Sequence, residues 1–523
     1  PESRPEAVIQ AVEAGTGTGK SLGYLVPALA AGRHPVLVAT RTKQLQRQLL
    51  EEDVPRAAGI LGRPVKAVLA KGRANYLCRT AWEAVAQDPH LEFSRADQQL
   101  WLALQRWTLE TQDGDREGLG RFGEGESPLW DKLNARAERC TGRQCPRYED
   151  CFLTKLRAEV AEADLIIVNH ALLLADRVLR ESAFGQVLPD APVLILDEAH
   201  DLEEQLTESC AEAWSSRAMN LLFTDLRDAA RNPGSEQGAA LAGLLEAWER
   251  AWTDLLAWVP LEGGVLPLLS PGPEMRALAE AEPDVEQLAA YPVDAVGAWV
   301  EAGHPLWMEA RRLAAADPEN PLWMRLAERV GTAFSRMEQI FAQPDGWVST
   351  VSREGAHLVH FKSNPVDVRP FFHQHVRRGF ESVVLTSATL RDGRGFNGLG
   401  LRLGLTKPEV EVAEHVESPF DFEAQGLLFV PPDLPERRPG AGGGVGDPAW
   451  VEASLDAMER MLRASRGRAL LLFTSRKMLA AFRPRLEVAL PELTFFVQGD
   501  GLSRSQLLDR FRVQWTPAEL TER

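Results

Sequence analysis

The sequence has few cysteines, no long apolar run, and fewer basic than acidic residues. Five cysteines in 523 residues do not suggest the disulfide framework of a secreted scaffold, and they favour a cytosolic compartment. Because no apolar stretch approaches the ~18 residues of a membrane span, we expect neither a signal peptide nor a membrane partner. The net charge of −17 argues against indiscriminate nucleic-acid binding but leaves room for a local basic groove.

A phosphate-binding pattern lies near the start of the chain, directly after the apolar segment 7–12. Its glycines let backbone N–H groups cradle phosphates, while Lys20 can reach the β- and γ-phosphates and Ser21 can ligate Mg²⁺. A chance Gly/Thr-rich turn is the alternative, but the order of strand, loop, Lys-Ser and apolar helix favours a nucleotide site. The candidate ATP-binding residues are Ala14, Gly15, Thr16, Gly17, Thr18, Gly19, Lys20 and Ser21.

An acidic motif supports this interpretation. The apolar run 193–196 reads as a buried parallel strand, and it ends in Asp197-Glu198-Ala-His200. An aspartate at such a strand tip can hold Mg²⁺, and the adjacent glutamate can orient or deprotonate the attacking water. The candidate catalytic residues are therefore Lys20, Asp197 and Glu198.

Four of the five cysteines fall in one segment. Cys78, Cys140, Cys145 and Cys151 are separated by 61, 4 and 5 residues, whereas Cys210 lies apart and reads as a helix-face residue. Four soft thiolates suit zinc or an iron–sulfur cluster, and spacing alone does not separate the two. Zinc sites prefer tight cysteine pairs at both ends, and this set has one distant member. Four unrelated buried thiols are the remaining alternative.

Short β-branched runs alternate with helical patterns, which predicts α/β domains with parallel sheets. The predicted strands include 35–39, 165–168, 193–196, 383–385, 470–473 and 495–497. Residues 202–347 read instead as a helical insertion holding eight of the fourteen tryptophans. Trp248 and Trp252 share one helix face, so we expect these side chains in a core, with base stacking as the alternative. Residues 431–448 read as a linker.

Together these motifs resemble the superfamily 2 helicases of the XPD/DinG type, and the bacterial DinG branch most closely. Segments 38–46, 164–173, 364–368, 385–390, 418–422 and 470–475 match further family motifs in the family's order. The resemblance implies an α/β fold with a RecA-like P-loop motor, inserted iron–sulfur and helical arch domains, and a partial second RecA-like domain. The implied limits are 1–70, 161–205 and 356–430 for the first motor, 71–160 for the iron–sulfur domain, 206–355 for the arch and 431–523 for the second motor.

The resemblance also implies a function. It predicts an ATP-dependent DNA helicase that uses ATP, Mg²⁺ and a [4Fe–4S] cluster held by Cys78, Cys140, Cys145 and Cys151. Translocation would run 5′ to 3′ on single-stranded DNA, with the iron–sulfur domain as the wedge at forked DNA. The protein would act as a monomer in DNA repair or replication, in the bacterial cytoplasm at the nucleoid.

Two further residue sets follow from the family order. His200, Ser387 and Thr389 would couple the nucleotide state to the grip on DNA, with strand-end hydrogen bonding and helix capping as the alternative. The candidate DNA contacts are Thr40, Arg41, Gln44, Lys71 and Arg73. Contacts of this kind to backbone phosphates position a strand without reading its sequence. Arg79 extends the basic group beside Cys78, for which a solvated charge cluster is the alternative.

Two departures from the family pattern limit these expectations. Arg4-Pro5 is followed by only eight residues before Ala14, which leaves the family's adenine contact without a counterpart. No segment resembles motif V or motif VI, whose arginine finger is typically worth about 10³–10⁵ in rate. A nucleic-acid-binding ATPase or redox-sensing fragment that does not unwind is therefore the alternative function.

Overall fold

The computed structural model describes most of the chain. The described residues are 6–87, 95–122, 127–180, 186–230, 236–259, 265–268, 293–318, 321–354, 358–392, 395–405, 410–437, 448–499, 507 and 510–511. Arg4-Pro5 and the middle of the predicted linker lie outside them. Within the described residues, no helix is both long enough and apolar enough to cross a membrane.

The strands are β1 (Val8–Ala14), β2 (Val36–Thr40), β3 (Ala67–Leu69), β4 (Leu165–Asn169), β5 (Val193–Asp197), β6 (Glu212–Ser215), β7 (Val265–Pro267), β8 (Trp347–Glu354), β9 (Leu358–Pro365), β10 (Ser382–Ser387) and β11 (Val410–Val416). The α-helices are α1 (Lys20–Ala30), α2 (Lys43–Gln48), α3 (Val54–Leu61), α4 (Arg79–Ala86), α5 (Arg95–Glu110), α6 (Pro128–Leu133), α7 (Phe152–Ala161), α8 (His170–Leu179), α9 (Leu202–Cys210), α10 (Ser216–Ala230), α11 (Glu236–Trp258), α12 (Val293–Ala316), α13 (Pro321–Ala342), α14 (Arg369–Phe371), α15 (Asn397–Leu403), α16 (Phe422–Gln425), α17 (Pro448–Ala464) and α18 (Arg476–Ala489).

The chain divides into two compact units. The first comprises Pro1–Gln87 and Leu133–Pro419, and the second comprises Asp88–Lys132 and Phe420–Arg523. The predicted iron–sulfur segment 71–160 is thus shared between the units, with all four of its cysteines in the first. The predicted domain limits remain predictions.

A parallel seven-stranded sheet organises the first unit, in the order β11-β1-β10-β5-β2-β4-β3. Its inner strands are continuous apolar runs because both faces of a parallel sheet are covered by helices. In β4, Leu165 and Ile167 pack against α1 and α3 on one face, while Ile166 and Val168 pack on the other. This arrangement confirms the predicted α/β class and brings the carboxyl ends of β1, β5 and β10 to one edge.

The tryptophan-rich insertion has its own core. Trp248, Trp252 and Trp299 are at most 2% exposed and pack on one another and on Phe361, which confirms their predicted place in a core. The insertion is not only helical, because an antiparallel sheet in the order β6-β9-β8-β7 lies against its helices. Residues 358–365 alternate strictly between buried and half-buried positions, the pattern of a strand with one covered face. The predicted limit at 355/356 falls inside the β8–β9 hairpin.

Two regions of the second unit show packed aromatic side chains among the described residues. In residues 95–132, Trp107 and Trp130 meet edge to face at 6.4 Å, and Arg116 lies over Trp130. In residues 448–499, α17 and α18 enclose a small core around Phe482. The predicted strands 470–473 and 495–497 are wrong for the described chain, since neither pairs with another strand there. β-Branched and aromatic composition gives strand propensity, but a strand also needs a hydrogen-bonded partner.

Candidate functional site

The P-loop joins β1 to α1. Gly19 caps α1 in the left-handed region, at φ 79°, where glycine carries no steric penalty. Gly15 is needed for a different reason, because a Cβ there would lie 2.9 Å from the backbone nitrogen of Ser418. The Ser418 hydroxyl in turn donates to the carbonyl of Thr16 at 2.7 Å, and Thr18 donates to that of Gly15 at 2.8 Å. These two hydrogen bonds therefore fix the backbone of the loop at Gly15 and Thr16.

Lys20 lies between the two acidic residues at the end of β5. Its Nζ is 2.8 Å from Glu198 Oε1 and 3.1 Å from Asp197 Oδ1. Burial lowers the pKa of Lys20, but the two carboxylates outweigh it and leave the net pKa raised. Burial raises the pKa of Asp197, and Lys20 opposes that rise only in part. For Glu198, bonds from Lys20 and Ser387 overcome burial and lower the pKa, so this carboxylate is ionised at neutral pH.

Glu198 adopts an unusual backbone conformation, with φ 57° and ψ 43°. A non-glycine residue reaches this left-handed region at a cost of about 1–2 kcal/mol, so its surroundings must hold it there. Ser387 Oγ donates to Glu198 Oε2 at 3.0 Å and thereby fixes the second carboxylate oxygen.

A chain of polar contacts runs from Glu198 to the surface. His200 Nδ1 lies 2.6 Å from Ser387 Oγ, and its Nε2 lies 3.2 Å from Asp201 Oδ2. Asp201 also forms a close ion pair with the guanidinium of Arg41, just after β2. The predicted coupling residues His200 and Ser387 therefore touch each other, and both contact the candidate catalytic carboxylate of Glu198. Thr389 is exposed, and its backbone N–H donates to Ser387 Oγ at 3.2 Å.

The residues proposed for Mg²⁺ have a common neighbour. The hydroxyl of Tyr24 lies 3.4 Å from Asp197 Oδ2 and also interacts with the Ser21 side chain. Burial, assisted by Asp197, raises the pKa of Tyr24 well above its ordinary value, so the phenol stays protonated and can donate. Ser21 and Asp197 are thus near each other and offer the hard oxygen donors that Mg²⁺ prefers.

The sequence interpretation missed Glu13, the residue before the loop. Its side chain is buried, and it accepts backbone hydrogen bonds from Leu390 at 2.7 Å and Arg391 at 2.6 Å. It also pairs with Arg391 Nε at 2.9 Å and with His415 Nδ1 at 3.0 Å. Burial alone would raise the pKa of Glu13, but the bonds from Arg391 and Leu390 outweigh it and lower the pKa. Glu13 ties the loop after β10, which carries Thr389, to the P-loop strand.

In the cysteine segment (residues 71–87 and 133–160), Cys78 and Cys151 directly precede α4 and α7, whereas Cys140 and Cys145 each follow a short turn. Cys78 is half-buried, and burial raises the pKa of its thiol, with Cys145 and Cys151 close enough to add to that rise. Cys140 is exposed. Among the described residues, no three His, Cys, Asp or Glu side chains stand close enough to hold a metal ion. The chemistry of the donors nevertheless fits a soft metal or cluster, because all four side chains are thiols and two of them, Cys145 and Cys151, lie near enough to Cys78 to affect its pKa. Burial raises the pKa of Cys210 to about 12, so that thiol is inert.

The predicted DNA contacts differ in accessibility. Arg41 and Gln44 are exposed, whereas Thr40 is fully buried and its hydroxyl has no hydrogen-bond partner within the described chain. Lys71 is only 8% exposed, and Arg73 donates to the carbonyl of Ala135 at 2.8 Å. Arg79 lies over the Phe152 ring and donates to the carbonyl of Asp150, so it braces the cysteine segment. The DNA contacts remain predictions, with Arg41 and Gln44 the accessible ones.

Comparison with known proteins gives consistent relatives, although no protein-family model matches the chain. The ATP-dependent DNA helicase YoaA of Escherichia coli (strain K12) is 31% identical over 512 residues, which cover 96% of this chain and 73% of that protein. The ATP-dependent helicase DinG of Mycobacterium tuberculosis (strain ATCC 25618 / H37Rv) is 37% identical over 231 residues, 40% of this chain and 34% of its own length. A solved XPD helicase aligns with 97% of this chain and 75% of its own, at 12% identity and a TM-score of 0.43.

Proposed function

The chain belongs to the XPD/DinG-type family of ATP-dependent DNA helicases, and on that premise we propose that it hydrolyses ATP at the P-loop edge of the parallel sheet to separate DNA strands. The observation that carries the proposal is the position of Lys20. Its ammonium lies between the Asp197 and Glu198 carboxylates, and Lys20 directly follows Gly19, which caps α1 at the end of the loop. Phosphates bound in the loop would attract the Lys20 ammonium away from Glu198. The Glu198 carboxylate would then be free to bind the attacking water.

The residues then divide the work of phosphoryl transfer. The N–H groups of residues 15–20 would hold the phosphates, and Lys20 would neutralise the charge that develops on the γ-phosphate. Ser21 and Asp197 would hold Mg²⁺, which would supply positive charge to offset that of the phosphates. Glu198, with its lowered pKa and its second oxygen fixed by Ser387, would orient the water and accept its proton.

Strand separation requires a second element, and we assign it to the cysteine segment. Cys78, Cys140, Cys145 and Cys151 supply the thiolates that a [4Fe–4S] cluster takes, and such a cluster would cross-link the chain at Cys78 to residues 140–151. A rigid segment next to a translocating motor can act as a wedge at a fork. Movement 5′ to 3′ along the strand and a role in DNA repair or replication are part of the same proposal.

The first experiment measures ATP hydrolysis by the 523-residue chain with and without single-stranded DNA, followed by unwinding of forks with only a 5′ or only a 3′ tail. We expect DNA-stimulated hydrolysis and unwinding of the 5′-tailed fork. Lys20→Ala should abolish both, while Lys66→Ala, which removes an exposed lysine paired with Glu162, should change neither.

Each part of the proposal fails on a different result. Unwinding that survives Lys20→Ala would refute the P-loop assignment. Hydrolysis stimulated by DNA without any unwinding would instead favour a nucleic-acid-binding ATPase. Unwinding from the 3′ tail alone would refute the direction only.

A further inference from the structure

Asp201 joins the nucleotide site to the accessible candidate DNA contact. One carboxylate oxygen, Asp201 Oδ2, lies within ion-pair distance of Arg41 on one side and of His200 on the other. The motif analysis assigned Asp201 no role, and its side chain makes no capping hydrogen bond to α9. Its contacts with Arg41 and His200 therefore explain its position better than helix capping does.

The two partners of this ion pair differ in freedom. The Asp201 side chain is 15% exposed, whereas that of Arg41 is 48% exposed and follows the end of β2. A guanidinium binds carboxylate and phosphate oxygens in the same forked geometry, so a DNA phosphate and Asp201 compete for it. The exposed Arg41 side chain can turn toward a DNA strand, whereas the less exposed Asp201 side chain stays beside His200.

We propose that Asp201 is a positioning residue that holds Arg41 in the DNA-free chain, and that a backbone phosphate of single-stranded DNA displaces it. The inference rests on the proposed function. When Arg41 leaves, Asp201 keeps its contact with His200, and His200 contacts Ser387, which donates to Glu198. Binding of a DNA strand therefore alters the charge around Glu198, the residue proposed to orient the water.

The test is a double-mutant cycle on DNA binding without nucleotide. The full chain and the variants Asp201→Asn, Arg41→Gln and Asp201→Asn/Arg41→Gln are titrated against a fluorescently labelled oligothymidylate over a range of salt concentrations. Asp201→Asn should tighten binding about two- to fivefold, the range typical of a half-exposed ion pair. Arg41→Gln should weaken binding and lower the salt-dependence slope by about one phosphate contact, and the double variant should match it.

A matched control and a second variant keep the test specific. Glu309→Gln removes a carboxylate from an ion pair of similar exposure, 23% for Glu309 and 54% for Arg312, and should not change DNA affinity. Asp201→Ala should reproduce the gain of Asp201→Asn, which guards against an effect of the amide itself. Thermal unfolding of each variant verifies that it is folded.

The outcomes separate the inference from the function on which it rests. Unchanged or weaker binding by Asp201→Asn and Asp201→Ala, with weaker binding by Arg41→Gln, would overturn only the role of Asp201. A gain from Asp201→Asn that persists in the Arg41→Gln background would also overturn it. If Arg41→Gln alters neither affinity nor salt slope, the predicted DNA contact of Arg41 fails, and the inference fails with it.

Discussion

The nucleotide site and the cysteine segment (residues 71–87 and 133–160) are held together in different ways. In the nucleotide site, the first residue of α1 and the ends of two strands of one sheet place Lys20, Glu198 and Ser387 within 3.0 Å contacts, and each charged group has a partner. In the cysteine segment, two thiols precede helices and two follow short turns, and Cys140 remains exposed. The folded chain therefore forms the nucleotide site without a ligand. The final geometry of the cysteine segment depends instead on the metal or cluster that its thiols bind. Substitutions should accordingly disturb chemistry in the first and structure in the second.

The largest effect should come from Glu198→Gln. The amide keeps the shape of the side chain but cannot accept the proton of water, so the rate of DNA-stimulated ATP hydrolysis should fall about 10²–10⁴-fold. Binding of ATP and the temperature of unfolding should hold, because Asp197 still pairs with Lys20. The matched variant Glu203→Gln, on the first turn of α9, should keep wild-type rates. Unfolding of Glu198→Gln would show that this site is not formed by the sheet alone.

The second prediction concerns Cys145→Ser. Loss of one thiolate should remove most of the bound iron and acid-labile sulfide, abolish unwinding and leave ATP binding intact. Cys210→Ser should retain all of these, since that thiol lies apart and its pKa is about 12. Metal analysis and visible absorption are the measurements. Colourless protein with stoichiometric zinc would refute the iron–sulfur assignment, and metal-free active protein would leave the cysteines as ordinary buried thiols.

A smaller effect is expected from Glu13→Gln. The amide presents an N–H to donors that need an acceptor, which should cost about 1–3 kcal/mol of the free energy of unfolding. Because the folded-state pKa of Glu13 is lowered, its contribution is complete above the ordinary carboxyl range and disappears as the pH falls through the lowered value. Urea unfolding should show a difference in the free energy of unfolding between wild type and variant at neutral pH, and this difference should disappear in acid. An equal difference at both pH values would rule out a role for the Glu13 charge.

The smallest effect should come from Trp248→Phe, in the insertion. Trp248 is fully buried against Phe223 and Trp299, so the variant should lose about 1 kcal/mol of stability. Its affinity for single-stranded DNA should equal that of the wild type. A base-stacking role would instead weaken DNA binding by about 1–3 kcal/mol. Thermal unfolding and a strand titration distinguish the two.

Local patterns in the sequence were sufficient for the inner strands and the loop. β2, β4, β5 and β10 follow from short β-branched runs, and the P-loop follows from its glycines and Lys20. The order of the strands and the β8–β9 hairpin were not predicted, because both depend on pairing between distant segments. Residues 470–473 show that composition is not sufficient for a strand, because they have the composition of one but no strand partner among the described residues.

The polar network of the site was less predictable than its motifs. Glu13 acts through Arg391, which lies 378 positions away, and Tyr24 meets Asp197 across 173 positions. Asp201 directly follows a known motif, yet its partner Arg41 lies on another strand end. A sequence identifies a reactive group by its type and spacing, whereas the residues that orient the group are found only once the chain is folded.

The left-handed backbone at Glu198 bears on how the protein can be altered. Glycine would occupy that position without the steric penalty, so Glu198→Gly should yield a chain that is inactive yet no less stable. At this position a screen for thermostability and a screen for hydrolysis would select opposite residues. Engineering that pursues a more robust protein should therefore hold residue 198 fixed and seek its gains away from the turn that carries it.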